Sequence, residues 1–120
     1  MGRVVVKRPD STPGQSPEGM PEVTIRSIFP GADGMPEVFV VTRAPGFVGP
    51  VHSHSQDEVI YVLEGDMTVG DYSCPKGTAI FVERDTMYGP LRSGPRGVTF
   101  LNIRQVRAES KVQGRARPQV

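Results

Sequence analysis

At 120 residues, with 14 Lys and Arg against 13 Asp and Glu and a formal net charge of +1 at pH 7, the chain has the size of one domain and no charge excess to draw it to nucleic acid or an anionic membrane. Its single cysteine, Cys74, excludes an intramolecular disulfide and fits a reducing, cytoplasmic setting, and the sequence shows neither a membrane-length apolar run nor a signal-like segment. Glycine and proline are abundant, at 14 and 12 residues, and short apolar runs between Gly/Pro turns predict an all-β barrel or sandwich.

In chain order, residues 1–17 read as an N-terminal arm. Val4-Val5-Val6 is expected to form an isolated strand that adds to a sheet edge of its own barrel or of a partner. Pro9 to Pro21, rich in Pro, Ser and Gly, reads as an extended linker. The barrel is expected over residues 18–106. Glu22–Phe29 alternates as a strand, Pro30–Gly34 turns the chain, and Glu37–Arg43 is the next strand, ended by Ala44-Pro45-Gly46. Further on, Met67–Val69 and Tyr72–Cys74 flank Gly70-Asp71 as a hairpin, and Pro75-Lys76-Gly77 leads into a strand over Thr78–Val82. A loop is expected over Glu83–Gly97 and a last strand over Val98–Ile103. Residues 107–120 read as a basic, partly flexible tail. From Arg104 onward it sets Arg104, Arg107, Lys111, Arg115 and Arg117 against Glu109, with no aromatic residue to stack a base, so a solvated terminus is expected and not a nucleic-acid arm.

The stretch from Gly46 to Gly65 carries the chemistry. It holds both histidines of the chain, His52 and His54, two residues apart and so on one face of a strand. Glu58 follows after a polar Ser55-Gln56-Asp57 segment, and Val59-Ile60-Tyr61-Val62-Leu63 returns as a second strand. A hairpin of this kind brings Glu58 back across from the imidazoles, and two imidazoles with a carboxylate form a site for a divalent first-row metal. The plainer reading is a surface pair of histidines near acids.

The spacing Gly46, five residues, His52-Ser53-His54, three residues, Glu58, six residues, Gly65 resembles the first motif of the cupin superfamily in every defining position. The second motif is present in part. Gly77 supplies its first glycine and Thr78–Val82 its strand, but Glu83 stands at the proline position, Asp85 at the second glycine, Tyr88 at the histidine and Arg92 at the asparagine. The resemblance implies an all-β, cupin-type double-stranded β-helix (jelly-roll) barrel, often dimeric, whose interior holds a metal or a ligand. It assigns His52, His54 and Glu58 as metal ligands and puts Tyr88, the candidate catalytic residue, at the fourth position. There Tyr88 ligates the ion, hydrogen-bonds its water, or leaves the position open; a metal-free barrel is the remaining alternative. With Fe(II), the first choice, the implied activity is dioxygenase-like on a small oxygenated organic molecule. With Zn, Ni or Mn it is Lewis-acid lyase, isomerase or cyclase chemistry. A non-catalytic ligand-binding or sensory barrel is the competing reading. The expected partners are a small molecule and a second copy of the chain, with no nucleic acid and no membrane.

Overall fold

Every second side chain along Glu37–Val41, Glu58–Val62 and Val98–Arg104 turns inward, apolar for most of the length and charged at one end. The computed structural model describes residues 2–113 and 115–117. Among these, ten strands follow one another: β1 (Val23–Pro30), β2 (Glu37–Arg43), β3 (Val48–Gly49), β4 (His52–His54), β5 (Glu58–Val69), β6 (Tyr72–Pro75), β7 (Ala79–Val82), β8 (Leu91–Arg104), β9 (Ser110–Val112) and β10 (Arg115–Arg117). The larger sheet runs β1-β2-β8-β5-β6, with β3 also on β8 and β7 also on β5; the smaller runs β10-β9-β4. All pairings are antiparallel.

Register stacks the inward residues into rows across the large sheet. Val41, Phe100 and Val62 form one row, and Phe39, Asn102 and Ile60 the next. The row beyond, at the end of the barrel nearest β4, is Glu37, Arg104, Glu58 and Val82. An apolar core of Val23, Phe39, Val41, Ile60, Val62, Met67, Leu91, Val98 and Phe100 thus ends in a layer that is charged and still buried. Gly65, the last position of the histidine motif, lets β5 and β8 approach. With φ at +71°, a Cβ there would lie 2.1 Å from the Gly97 carbonyl oxygen.

Most expected strands appear where the alternation puts them, including the β5–β6 hairpin, which closes with Val69 opposite Tyr72. Four expectations are corrected. Val4–Val6 is exposed chain and not a strand. Of the expected loop Glu83–Gly97, residues 91–97 are instead the first half of the 14-residue β8, because Leu91, Arg92 and Ser93 find partners on β5 in spite of Gly94 and Pro95. The histidine strand and the Glu58 strand are not a hairpin: β4 pairs with β9, in the other sheet from β5. The region read as a solvated tail contains β9, which supplies the pairing edge that β4 needs, and Arg104 before it is 2% exposed.

Candidate active site

Three backbone attachments fix the histidine strand. His52 and Tyr88 exchange both backbone hydrogen bonds, at 3.1 and 2.9 Å, so Tyr88 lies directly across from His52. Ser110 of β9 lies across from His54, and the Asp85 amide donates to the His54 carbonyl at 2.7 Å. With period two, both imidazoles turn the same way; their centroids are 4.7 Å apart, and the Tyr88 ring lies 4.6 Å from His52.

Each imidazole is held by its Nδ1. His52 Nδ1 contacts the Pro50 carbonyl at 2.7 Å, and His54 Nδ1 contacts Ser110 Oγ at 2.8 Å. On its other side His54 Nε2 lies 3.0 Å from Tyr88 Oη, and Tyr88 Oη donates to Glu58 Oε1 at 2.8 Å. One proton order satisfies the whole chain: Ser110 hydroxyl to His54 Nδ1, His54 Nε2–H to Tyr88 Oη, and Tyr88 hydroxyl to Glu58. The other imidazole tautomer gives a second order on the same atoms: His54 Nδ1–H donates to Ser110 Oγ, and His54 Nε2 accepts from the Tyr88 hydroxyl.

The group that organises this chain is Arg104. From the row Glu37–Arg104–Glu58, its Nη2 reaches Glu58 Oε2 at 2.5 Å and its Nε reaches the same oxygen at 2.8 Å. Nη1 donates to Glu37 Oε1 at 2.9 Å, and Nη2 lies 3.3 Å from His54 Nε2. The guanidinium also stands 5.0 Å from the centroid of Phe39. Glu58 and Arg104 are about as buried as side chains become, at 1% and 2% exposure, so each charge depends on the other for what water no longer supplies.

Burial raises the Glu58 carboxyl above its ordinary range, while Arg104 and the Tyr88 hydroxyl pull it back toward the ionised form. Burial, reinforced by the nearby Glu58 charge, holds Tyr88 well above the usual phenol value, so it is a phenol and not a phenolate at neutral pH. His52 is lowered, chiefly by burial and further by Arg43 and Arg104, against the bond to Pro50; it is neutral at pH 7.

These contacts test the expected metal. A divalent ion on His52, His54 and Glu58 requires open lone pairs converging on one point. Both Glu58 oxygens are engaged, one by Tyr88 and one by Arg104, and a permanent cation sits 3.3 Å from His54 Nε2. The three residues converge, but in this arrangement the donor set does not fit a divalent ion. Among the described residues no group of three or more His, Cys, Asp or Glu side chains is placed to hold one. Among side chains of ligand type elsewhere, Tyr61 is 42% exposed on the outer face, Glu83 is exposed, and Cys74 is buried in the core. Met87 is half exposed. Sequence reasoning missed Arg104, Glu37 and Ser110; the inward alternation Phe100, Asn102, Arg104 along β8 was the available signal for the first.

No protein-family model matches the chain and no curated protein matches its sequence. Solved structures do match. An RmlC-like cupin from Ralstonia eutropha JMP134 superposes with a TM-score of 0.81 at 12% identity, over 98% of this chain and 78% of that one. The polyketide cyclase RemF from Streptomyces resistomycificus has a TM-score of 0.69 at 24% identity, over 100% and 86%. Fe(II)-HppE, solved with an alternative substrate, has a TM-score of 0.66 at 18% identity, over 84% of this chain and 60% of that one. At these identities the likeness is one of fold.

Proposed function

We propose, from the all-β jelly-roll fold of the cupins that this chain has, that the barrel is an enzyme moving a proton on a small oxygenated organic molecule, with Tyr88 as the group that meets it. One observation carries the reading: the Tyr88 hydroxyl stands within hydrogen-bond reach of both His54 Nε2, at 3.0 Å, and Glu58 Oε1, at 2.8 Å. A phenol between a nitrogen base and a carboxylate gives or takes a proton with little movement of heavy atoms. Glu58 is too buried to meet a ligand directly, whereas Tyr88 and His52 are only partly covered. Arg104 keeps Glu58 in register and favours its ionised form. Isomerase, lyase and cyclase chemistry therefore stands ahead of the dioxygenase-like expectation, which needs lone pairs that Arg104 and Tyr88 engage.

A second reading, the metal-dependent one, is favoured by one feature. Both imidazoles are oriented through Nδ1, one by a carbonyl and one by a hydroxyl, the way metal-ligating histidines usually are, which turns each Nε2 inward. On that reading Arg104 would have to leave Glu58, and His52, His54, Glu58 and Tyr88 would hold the ion, Fe(II) first, which would supply Lewis-acid or oxygen chemistry.

Deuterium exchange at the α-carbon of pyruvate and of 2,4-pentanedione, followed by proton NMR with chelator present, tests the first reading. Exchange faster than buffer and lost in Tyr88→Phe supports it. Exchange no faster than buffer for both probes, or undiminished in Tyr88→Phe, removes it.

A further inference from the structure

A second arginine enters the barrel interior, and it lacks what Arg104 has. Arg43 closes β2 at the opposite end from Glu37, and its guanidinium lies 5.4 Å from the ring centroid of Phe47 and 5.2 Å from that of Phe100. Nη1 passes 3.0 Å from where a Cβ on residue 49 would stand, so glycine there leaves its path open. Its Nε is buried without a hydrogen-bond partner, and among the described residues no carboxylate pairs with it. Burial lowers its pKa, against the fields of Tyr88 and Glu58, and its charge in turn helps to depress His52. The cation therefore lies between the Phe47 and Phe100 rings with no counter-ion in contact among the described residues.

Two further buried groups are orphaned on the inward side of β8: Ser93 Oγ and Asn102 Nδ2. Ser93 adjoins the same Phe47, whose carbonyl accepts its amide hydrogen bond at 2.8 Å, and Asn102 lies in the row between Phe39 and Ile60. All three orphans can donate, and none has an acceptor. Buried donors without acceptors cost roughly 1–3 kcal/mol each, more when charged. Three of them in one small barrel indicate an oxygen-rich partner absent from the chain itself.

We infer that the barrel binds a small organic carboxylate, with Arg43 as its counter-ion and Ser93 and Asn102 as hydrogen-bond donors. This rests on the reading of the barrel as a small-molecule site and names the class of molecule. The Glu37–Arg104–Glu58 row has its own charges in contact with each other, which leaves Arg43 as the guanidinium open to a ligand. Its planar fork matches two carboxylate oxygens, and the flanking rings of Phe47 and Phe100 exclude water from the pair.

The test is an NMR titration of the full chain, reading the ring resonances of His52 and Tyr88, with pyruvate, benzoate and the neutral isostere pyruvamide. Saturable shifts are expected with a carboxylate, with pyruvamide weaker than pyruvate by about tenfold or more, since a charge-assisted contact is lost. Arg43→Gln is expected to weaken the carboxylate by a similar factor and leave pyruvamide unchanged, and Arg43→Lys to restore part of the loss. Should Arg43→Gln not fold, the ratio of pyruvate to pyruvamide in the unmodified chain decides the matter alone. Equal affinity for the two overturns the role of Arg43 and leaves the barrel as a site for neutral molecules. Absence of any saturable shift with all three probes overturns the small-molecule reading and this inference together.

Discussion

Replacing Arg104 by methionine keeps much of its length and removes its charge. Both carboxylates that it holds are then stranded: Glu58, 1% exposed, loses two contacts at 2.5 and 2.8 Å, and Glu37, 8% exposed, loses one at 2.9 Å. Breaking a buried ion pair by deleting one partner costs about 3–5 kcal/mol, because an uncompensated charge remains. In a domain of this size that is a fall in Tm of about 10–20 °C. The loss also depends on pH in a definite direction. Glu58 is already raised in the folded chain, and without Arg104 it rises further. A raised carboxyl contributes its stability below the unfolded pKa and loses it as pH rises through the folded one, so Arg104→Met is expected to be least damaging near pH 4 and most damaging at pH 7 and above. Urea unfolding at a series of pH values reads both effects. Adding Glu58→Gln and Glu37→Gln to Arg104→Met is expected to recover most of the loss, since an uncharged interior needs no counter-ion. A loss of less than about 1 kcal/mol at pH 7, or one independent of pH, would refute the view that Arg104 neutralises this layer.

Three other outcomes follow from the same contacts. Tyr88→Phe removes the hydroxyl between His54 and Glu58 and is expected to cost about 1–3 kcal/mol in chemical denaturation, with the fold retained in the circular dichroism spectrum. His52, lowered in the folded chain, is expected to titrate below the usual histidine value in NMR with chelator present. Its stability contribution is complete above about pH 6.5 and is lost on acidification toward the folded pKa, where the unfolded chain takes a proton that the barrel refuses; His52→Gln should flatten that slope. Cys74, buried and raised by that burial, is expected to react with a thiol reagent only as fast as the barrel opens, and a fast native reaction at pH 7.5 would contradict its placement.

Local patterns made much of this molecule legible, and its long-range pairings did not. The alternation in Glu37–Arg43 gave β2 and Val59–Leu63 gave the first half of β5, which continues through Gly65 into the separately expected Met67–Val69, and Gly70-Asp71 gave the turn between β5 and β6. The spacing of His52, His54 and Glu58, with Tyr88 at the position where the resembled family has its last ligand, anticipated four side chains that do meet. How they meet was hidden, because it depends on register between distant strands. Arg104 lies among basic residues that read as a tail, and only its position across from both Glu37 and Glu58 shows that it belongs inside. Ser110 was similarly invisible: nothing near it in sequence indicates that β9 pairs with the histidine strand 56 residues earlier. A metal-ligand spacing records which residues converge and leaves open whether a cation from a distant strand, here the end of β8, already stands among them.

That cation is Arg104, standing where an ion would bind. Elemental analysis of the chain purified without chelator or affinity metal, and again after incubation with Fe(II) and with Zn(II) followed by desalting, tests it most directly. Metal far below one ion per chain in all three samples is the predicted result. Near-stoichiometric metal that disappears in His52→Ala would contradict it, and would mean that Arg104 yields its place and that the metal-dependent reading holds.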